Sequence, residues 1–145
     1  MRLTLTESLP PQPPSIGEAR QMLAVLLSLT NADERSCYRL AVLLTEACAN
    51  VVQHGEPGTA LDLHIAIEAG TCVLEVGNRG RVPNGGTFPA LPLDPEQTSG
   101  RGLALIAAMS DRAEFVPTAP GCVLLRMTLA LPGHPDARAA GRSGP

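Results

Sequence analysis

Glu46, Asn50 and His54 recur at intervals of four in the stretch "LTEACANVVQHG", residues 44–55. In a helix, residues four apart stand one above the other, so a carboxylate, an amide and an imidazole share one stripe. A carboxylate in that position can accept a proton from an attacking hydroxyl or water. A neutral amide oxygen suits Mg2+, a hard cation that keeps several waters and takes few protein ligands. The imidazole, at the helix end, can also interact with the negative end of the helix dipole. On its own such a trio equally describes a solvated polar helix face, so two further stretches decide how it is read.

In "SGRGLALI", residues 99–106, Gly100 and Gly102 allow the backbone to approach a ligand closely. Leu103 begins an apolar helical pattern, and a helix start directs N–H groups and positive dipole at an anion. Thr98 and Ser99 just before it are candidate phosphate contacts. Arg101 either adds charge-assisted contacts or points to solvent, and a plain loop-to-helix entry is the alternative for the two glycines. The remaining stretch, "LEVGNRGRVP" (74–83), is a strand end running into a turn that carries Asn78 and Gly80.

The surrounding pattern supplies elements to hold these residues. "RLTLTE" alternates as a strand with Leu3 and Leu5 inward. After the rigid "PPQPP", Ser15 is expected to cap a helix over 16–29 carrying Met22, Leu23, Leu26 and Leu27. Asp33 caps a second helix running to His54, with Leu40, Leu43, Leu44, Ala47, Cys48 and Val51 as its apolar stripe and Gly55 as its stop. "ALDLHIAIEAG" alternates strictly: Leu61, Leu63, Ile65 and Ile67 face one way, Asp62, His64 and Glu68 the other. A turn at Ala69-Gly70 pairs this strand with "TCVLEVGN". Residues 79–100 form a long Gly- and Pro-bearing loop of the kind that is functional or mobile. A helix packed through Leu103, Leu105, Ile106 and Met109 follows, then two strands, "RAEFV" and "GCVLLRMTLAL". The expected fold is a two-layer α/β (α+β) sandwich, with helices on one face of a mixed, mostly antiparallel sheet. Residues 1–132 form the domain, with a lid at about 79–100, and 133–145 a disordered tail.

Bulk properties narrow the chemistry. The composition is 44% hydrophobic but 2% aromatic, so the core must be aliphatic. A net charge of −3 without a basic run argues against nucleic acid or an anionic membrane as the main partner. The start lacks a signal-peptide apolar region, so a cytoplasmic location is expected. Cys37, Cys48, Cys72 and Cys122 are widely spaced and read as apolar fillers. All eleven basic residues are arginine. Without lysine there is no Walker A loop and no ordinary protein-kinase site.

E-x-x-x-N on a helix, a strand entering a Gly-bearing turn, and G-x-G-L at a helix start together resemble the N, G1 and G2 boxes of Bergerat-fold (GHKL, HATPase_c) ATPases. Within that group, "LTEACANVVQHG" and "SGRGLALI" are most similar to the bacterial anti-sigma factor serine/threonine-protein kinases, and the resemblance spans roughly residues 1–131. It implies ATP and Mg2+ as cofactors, Glu46 as general base and Asn50 as metal ligand. It places Asn78, Gly80, Thr98, Ser99, Gly100, Arg101, Gly102 and Leu103 around the nucleotide, and Arg20 on a partner-binding face. It further implies partner switching between a sigma factor and an anti-anti-sigma (STAS-type) antagonist. Phosphorylation of an antagonist serine would break its complex through added charge. Dimers are common among such proteins.

Two other readings stay open. One is a protein-binding module with weak or no catalysis. The other is a histidine-kinase ATPase domain acting in trans, since neither His64 on a strand nor His134 in the tail suits a phospho-acceptor. The middle box departs from the family's D-x-G-x-G, with Asn78 at the Asp and Val82 at the second Gly. An amide oxygen still accepts the adenine amino group, but a neutral acceptor bonds more weakly than an ionised one. Asn78→Asp is therefore expected to tighten ATP binding by about 1–2 kcal/mol, roughly tenfold, in a calorimetric titration.

Overall fold

The strict alternation at 61–68 sets the central surface. In the computed structural model, which describes residues 1–91 and 100–132, Leu61, Leu63, Ile65 and Ile67 are buried on one face of β2 (Leu61–Glu68). Asp62 and Glu68 are exposed on the other face. Ala69 and Gly70, both at positive φ (51° and 72°), turn the chain into β3 (Thr71–Arg79). Two successive positive-φ residues match the twist of a tight hairpin. With β1 (Arg2–Leu9), β4 (Arg112–Ala119) and β5 (Cys122–Ala130) they make a five-stranded sheet of order β1-β2-β3-β5-β4. Every pairing between these strands is antiparallel, so the anticipated mixed sheet resolves to a purely antiparallel one.

Helices α1 (Pro14–Ser28), α2 (Glu34–His54) and α3 (Arg101–Met109) complete the α+β sandwich. α1 starts earlier than its composition suggests, on the proline-rich connector, with Pro13 as the capping residue. Ser15 lies inside the helix rather than at its cap; buried, it donates its hydroxyl to the Pro10 carbonyl at 2.6 Å and ties the connector down. Asp33 does cap α2, accepting from the Ser36 N–H at 3.1 Å. Hydrogen bonds from the Ser36 side chain and backbone hold the Asp33 carboxyl below its ordinary pKa. α3 buries Leu103, Ala104 and Ile106, with Met109 packed at the core's edge, while Leu105 stays half-buried outside the core. A 9-residue helix covers the sheet through a narrow stripe, and Leu105 falls beside it.

The core is aliphatic: Leu23, Leu40, Leu43, Ile65, Ile106 and Met127 are among its fully buried side chains. Phe88 and Phe115 stack with centroids 5.2 Å apart, fastening the segment that follows β3 onto β4. Before that contact the loop makes a short 3-10 turn at Pro83–Gly86, with Asn84 at φ 53°. Cys48 and Cys72 are buried free thiols, pushed up to about 12 by burial, consistent with inert packing groups. Among the described residues no cluster of His, Cys, Asp or Glu could hold a metal ion, and no helix is long and apolar enough to cross a membrane.

The sheet's other face is polar. Thr6, His64, Glu75, Arg126 and Glu114 fall in one row across all five strands. Thr6 and His64 share a 2.7 Å hydrogen bond; Arg126 donates to Glu75 at 2.8 Å and lies 3.6 Å from Glu114. Leu43 is fully buried on α2. Leu43→Ala is expected to cost about 2–5 kcal/mol, seen as a lower urea midpoint with an unchanged slope.

Candidate functional site

The buried stripe of α2 fixes which way its polar stripe faces, and that stripe meets the start of α3. Gly102 is the point of contact. A Cβ on Gly102 would lie 2.7 Å from Glu46 Oε2 and 3.8 Å from Asn50 Oδ1. One turn of α2 thus holds a carboxylate and an amide oxygen against the first turn of α3. Gly100, at φ 84°, adopts the left-handed conformation that glycine tolerates best, and its carbonyl accepts the Ala104 N–H at 3.0 Å. Lacking a side chain, Gly100 provides no capping acceptor, which leaves this helix start suited to an anion.

In front of this junction is a groove of about 590 Å³, walled by Asn50, His54, Gly80, Arg81, Gly100 and Leu103 among others. That volume suits a small-molecule ligand. A narrow slot of about 40 Å³ continues toward the sheet, sharing Asn50, His54, Gly55, Arg81 and Pro83 with the groove. Its inner walls are Ala47, Val51, Val76, Phe115 and Leu125, with Asn78 set among them. A second hollow of about 380 Å³, on the polar face of the sheet, includes His64 and Glu75 but no helix start.

Asn78 ends a run in which Cys72, Leu74 and Val76 point toward the helices, so the two-residue period of β3 sends its amide the same way. There it meets Gly55. A Cβ on Gly55 would collide with Asn78 Nδ2 and with the Val51 carbonyl. Gly55 itself has φ −66° and ψ 156°, ordinary extended backbone. Its glycine is therefore required by the close approach of Asn78 and of the Val51 carbonyl, not by a left-handed helix stop. Gly80 follows at φ 155°, donating its N–H to the Gly121 carbonyl at 3.0 Å and anchoring the turn just before the start of β5.

Two buried side-chain atoms at this place have no hydrogen-bond partner among the described residues: Asn50 Nδ2 and Asn78 Nδ2. Each such donor costs about 1–3 kcal/mol, and buried polar groups are normally paired. Two of them at one slot fit a ligand that brings acceptors. For a cation, the amide oxygen of Asn50 is the available donor, in keeping with the few protein ligands that Mg2+ takes.

Of the residues singled out from sequence, Asn50, Asn78, Gly80, Gly100 and Leu103 line the groove or slot. Glu46 and Gly102 sit behind this lining, against each other. Arg101 is exposed at the first position of α3, and Arg20 is exposed on α1, outside the lining. Thr98 and Ser99 lie outside the described residues. Sequence reasoning missed Arg81 and Phe115. Phe115 had a signal: it is one of two phenylalanines in a chain with few aromatics.

The two glycines should respond differently to alanine. Gly55→Ala confronts the Val51 backbone carbonyl, which cannot move aside. It is expected to cost about 1–3 kcal/mol by chemical denaturation. Gly102→Ala meets the mobile end of Glu46, and removing a helical glycine returns about 0.5–1 kcal/mol. Its stability should stay within about 1 kcal/mol of wild type while Glu46 is displaced.

The sequence profile described as "Histidine kinase-like ATPase domain" matches residues 9–129. Among solved structures, the crystal structure of the RsbU and RsbW domains of Rv1364c from Mycobacterium tuberculosis is similar, with a TM-score of 0.67 and 18% sequence identity. The similarity covers 89% of this chain and 32% of that one, so this chain spans less than a third of that polypeptide. At that identity the likeness is one of fold. A comparison with curated proteins finds no match. The profile match runs from the end of β1 to near the end of β5 and takes in every residue lining the groove and slot, and on that basis the chain belongs to the histidine kinase-like ATPase family.

Proposed function

We propose that this protein is an anti-sigma regulatory factor that binds Mg-ATP and phosphorylates a serine on an anti-anti-sigma (STAS-type) antagonist. The observation that carries the reading is the meeting of Glu46, Asn50 and Gly102 at one helix junction. Membership of an ATPase family supports ATP as the nucleotide, and the resemblance of "LTEACANVVQHG" and "SGRGLALI" to anti-sigma kinases supports the partner class.

In this reading the base enters the slot toward Asn78 and the phosphates lie along the groove. The slot, at about 40 Å³, is far smaller than a purine ring, so a base requires Arg81 and Pro83, which wall its mouth, to move outward. Gly100 and Gly102 let main-chain N–H groups of α3 approach the phosphate oxygens. Arg81 stands where it can add a charge-assisted contact. Asn50 would hold Mg2+ through its amide oxygen, and the ion when bound neutralises phosphate charge. Glu46 accepts the proton of the substrate serine as its oxygen attacks the γ-phosphorus and the bond to the ADP oxygen breaks. The absence of a side chain at Gly102 leaves room for the Glu46 carboxylate beside the first turn of α3. Arg20, exposed on α1, is assigned to partner contact.

A catalytically weak binding module is the second reading, favoured by the neutral Asn78 at the base-reading position. Incubation with Mg-ATP and a candidate antagonist, read by intact mass, separates the two. A phosphoserine mass shift is expected, slowed by about 10²–10⁴-fold in Glu46→Ala with nucleotide binding retained. An undiminished shift in Glu46→Ala overturns the assignment of the base, and no shift with any antagonist favours the binding module.

A further inference from the structure

Resting on the nucleotide reading above, we infer that Asn78 makes the base slot accept 6-oxopurine nucleotides as well as 6-aminopurine nucleotides. A carboxylate at this position offers acceptors only. It would bond the amino group at C6 of an adenine and set itself against the carbonyl oxygen of a 6-oxopurine. That repulsion rejects the wrong base as effectively as the attraction selects the right one. An amide has one acceptor and two donors, and a half-turn of its terminal torsion exchanges them. With Oδ1 toward the base, Asn78 accepts from a C6 amino group; with Nδ2 toward it, Asn78 donates to a C6 carbonyl.

The surroundings leave both orientations open. Asn78 Nδ2 is buried against Gly55 and has no partner among the described residues. Oδ1 is on the side of the Gly80 turn, 3.8 Å from where a Cβ on Gly80 would lie. No hydrogen bond from Nδ2 to a described residue has to be broken for the amide to turn over. The inner walls, Ala47, Val51, Val76, Phe115, Val123 and Leu125, carry no polar side-chain atom that would distinguish the two C6 substituents, and the polar residues Asn50, His54 and Arg81 stand where the slot joins the groove. An apolar wall discriminates weakly between isosteric groups, whereas a fixed, unpaired polar partner rejects strongly. The removal of a fixed charge at 78 thus broadens the slot's tolerance.

Calorimetric titration of the full chain with ATP and with ITP, in Mg2+, tests this directly. The expected result is a Kd for ITP within about tenfold of that for ATP in the wild type. Asn78→Asp, checked for folding by its melting transition, should tighten ATP and weaken ITP, widening the ratio to about a hundredfold or more. Wild type that binds ATP but prefers it over ITP by about a hundredfold overturns the inference alone. So does an Asp variant in which both affinities move together. If neither nucleotide binds, the nucleotide reading falls and this inference with it. Should the Asp variant not fold, the wild-type ratio alone decides.

Discussion

Helix α2 must satisfy two environments along its 21 residues, and the site depends on that division. Leu40, Leu43, Leu44, Ala47, Cys48 and Val51 are buried, and each larger apolar side chain contributes roughly 1.5–3 kcal/mol by leaving water. A slip of one residue would rotate the helix by about 100° and carry Glu46 toward that core. Burying an unpaired carboxylate costs several kcal/mol, so the slip is opposed from both sides. The rotation of α2, and hence the direction of its carboxylate, is set by hydrocarbon packing rather than by polar contacts at the site.

A second periodicity delivers the other half. On β3, Cys72, Leu74 and Val76 point toward the helices, and two residues further the same face presents Asn78 beside the end of α2. The strand's opposite face carries Glu75 into the polar row with His64 and Arg126. A helix of period 3.6 and a strand of period 2 therefore bring two amides to one slot, each placed by apolar neighbours on its own element. The missing Cβ at Gly55 lets Asn78 come so close to the end of α2.

The regular elements were legible because burial leaves a local period: the alternation at 61–68 and the stripe of α2 needed no knowledge of the rest of the chain. The Asp33 cap was legible for the same reason, its acceptor and the N–H it serves being three residues apart. Contacts between distant segments left no such trace. Ser15 looks like a helix cap, but its partner is a carbonyl five residues upstream, across a proline-rich bend. Gly55 reads as a helix stop, while part of the pressure on it comes from a strand residue 23 positions later. Phe88 is silent in sequence until Phe115 is beneath it. The grouping of residues 46, 50 and 102 was suggested by family resemblance and not by pattern, since no periodicity links a helix to a loop fifty residues away.

The packing of Gly102 on Glu46 makes these two positions a single steric unit. The space a methyl group would need at 102 is already filled by a carboxylate from another helix. A shorter side chain at 46 would vacate that space, so alanine at 102, which on its own displaces the carboxylate, would then fit without moving it. Substitutions at the pair would then be non-additive in a double-mutant cycle. Across sequence variants, the residues at 46 and 102 should drift together or stay put together.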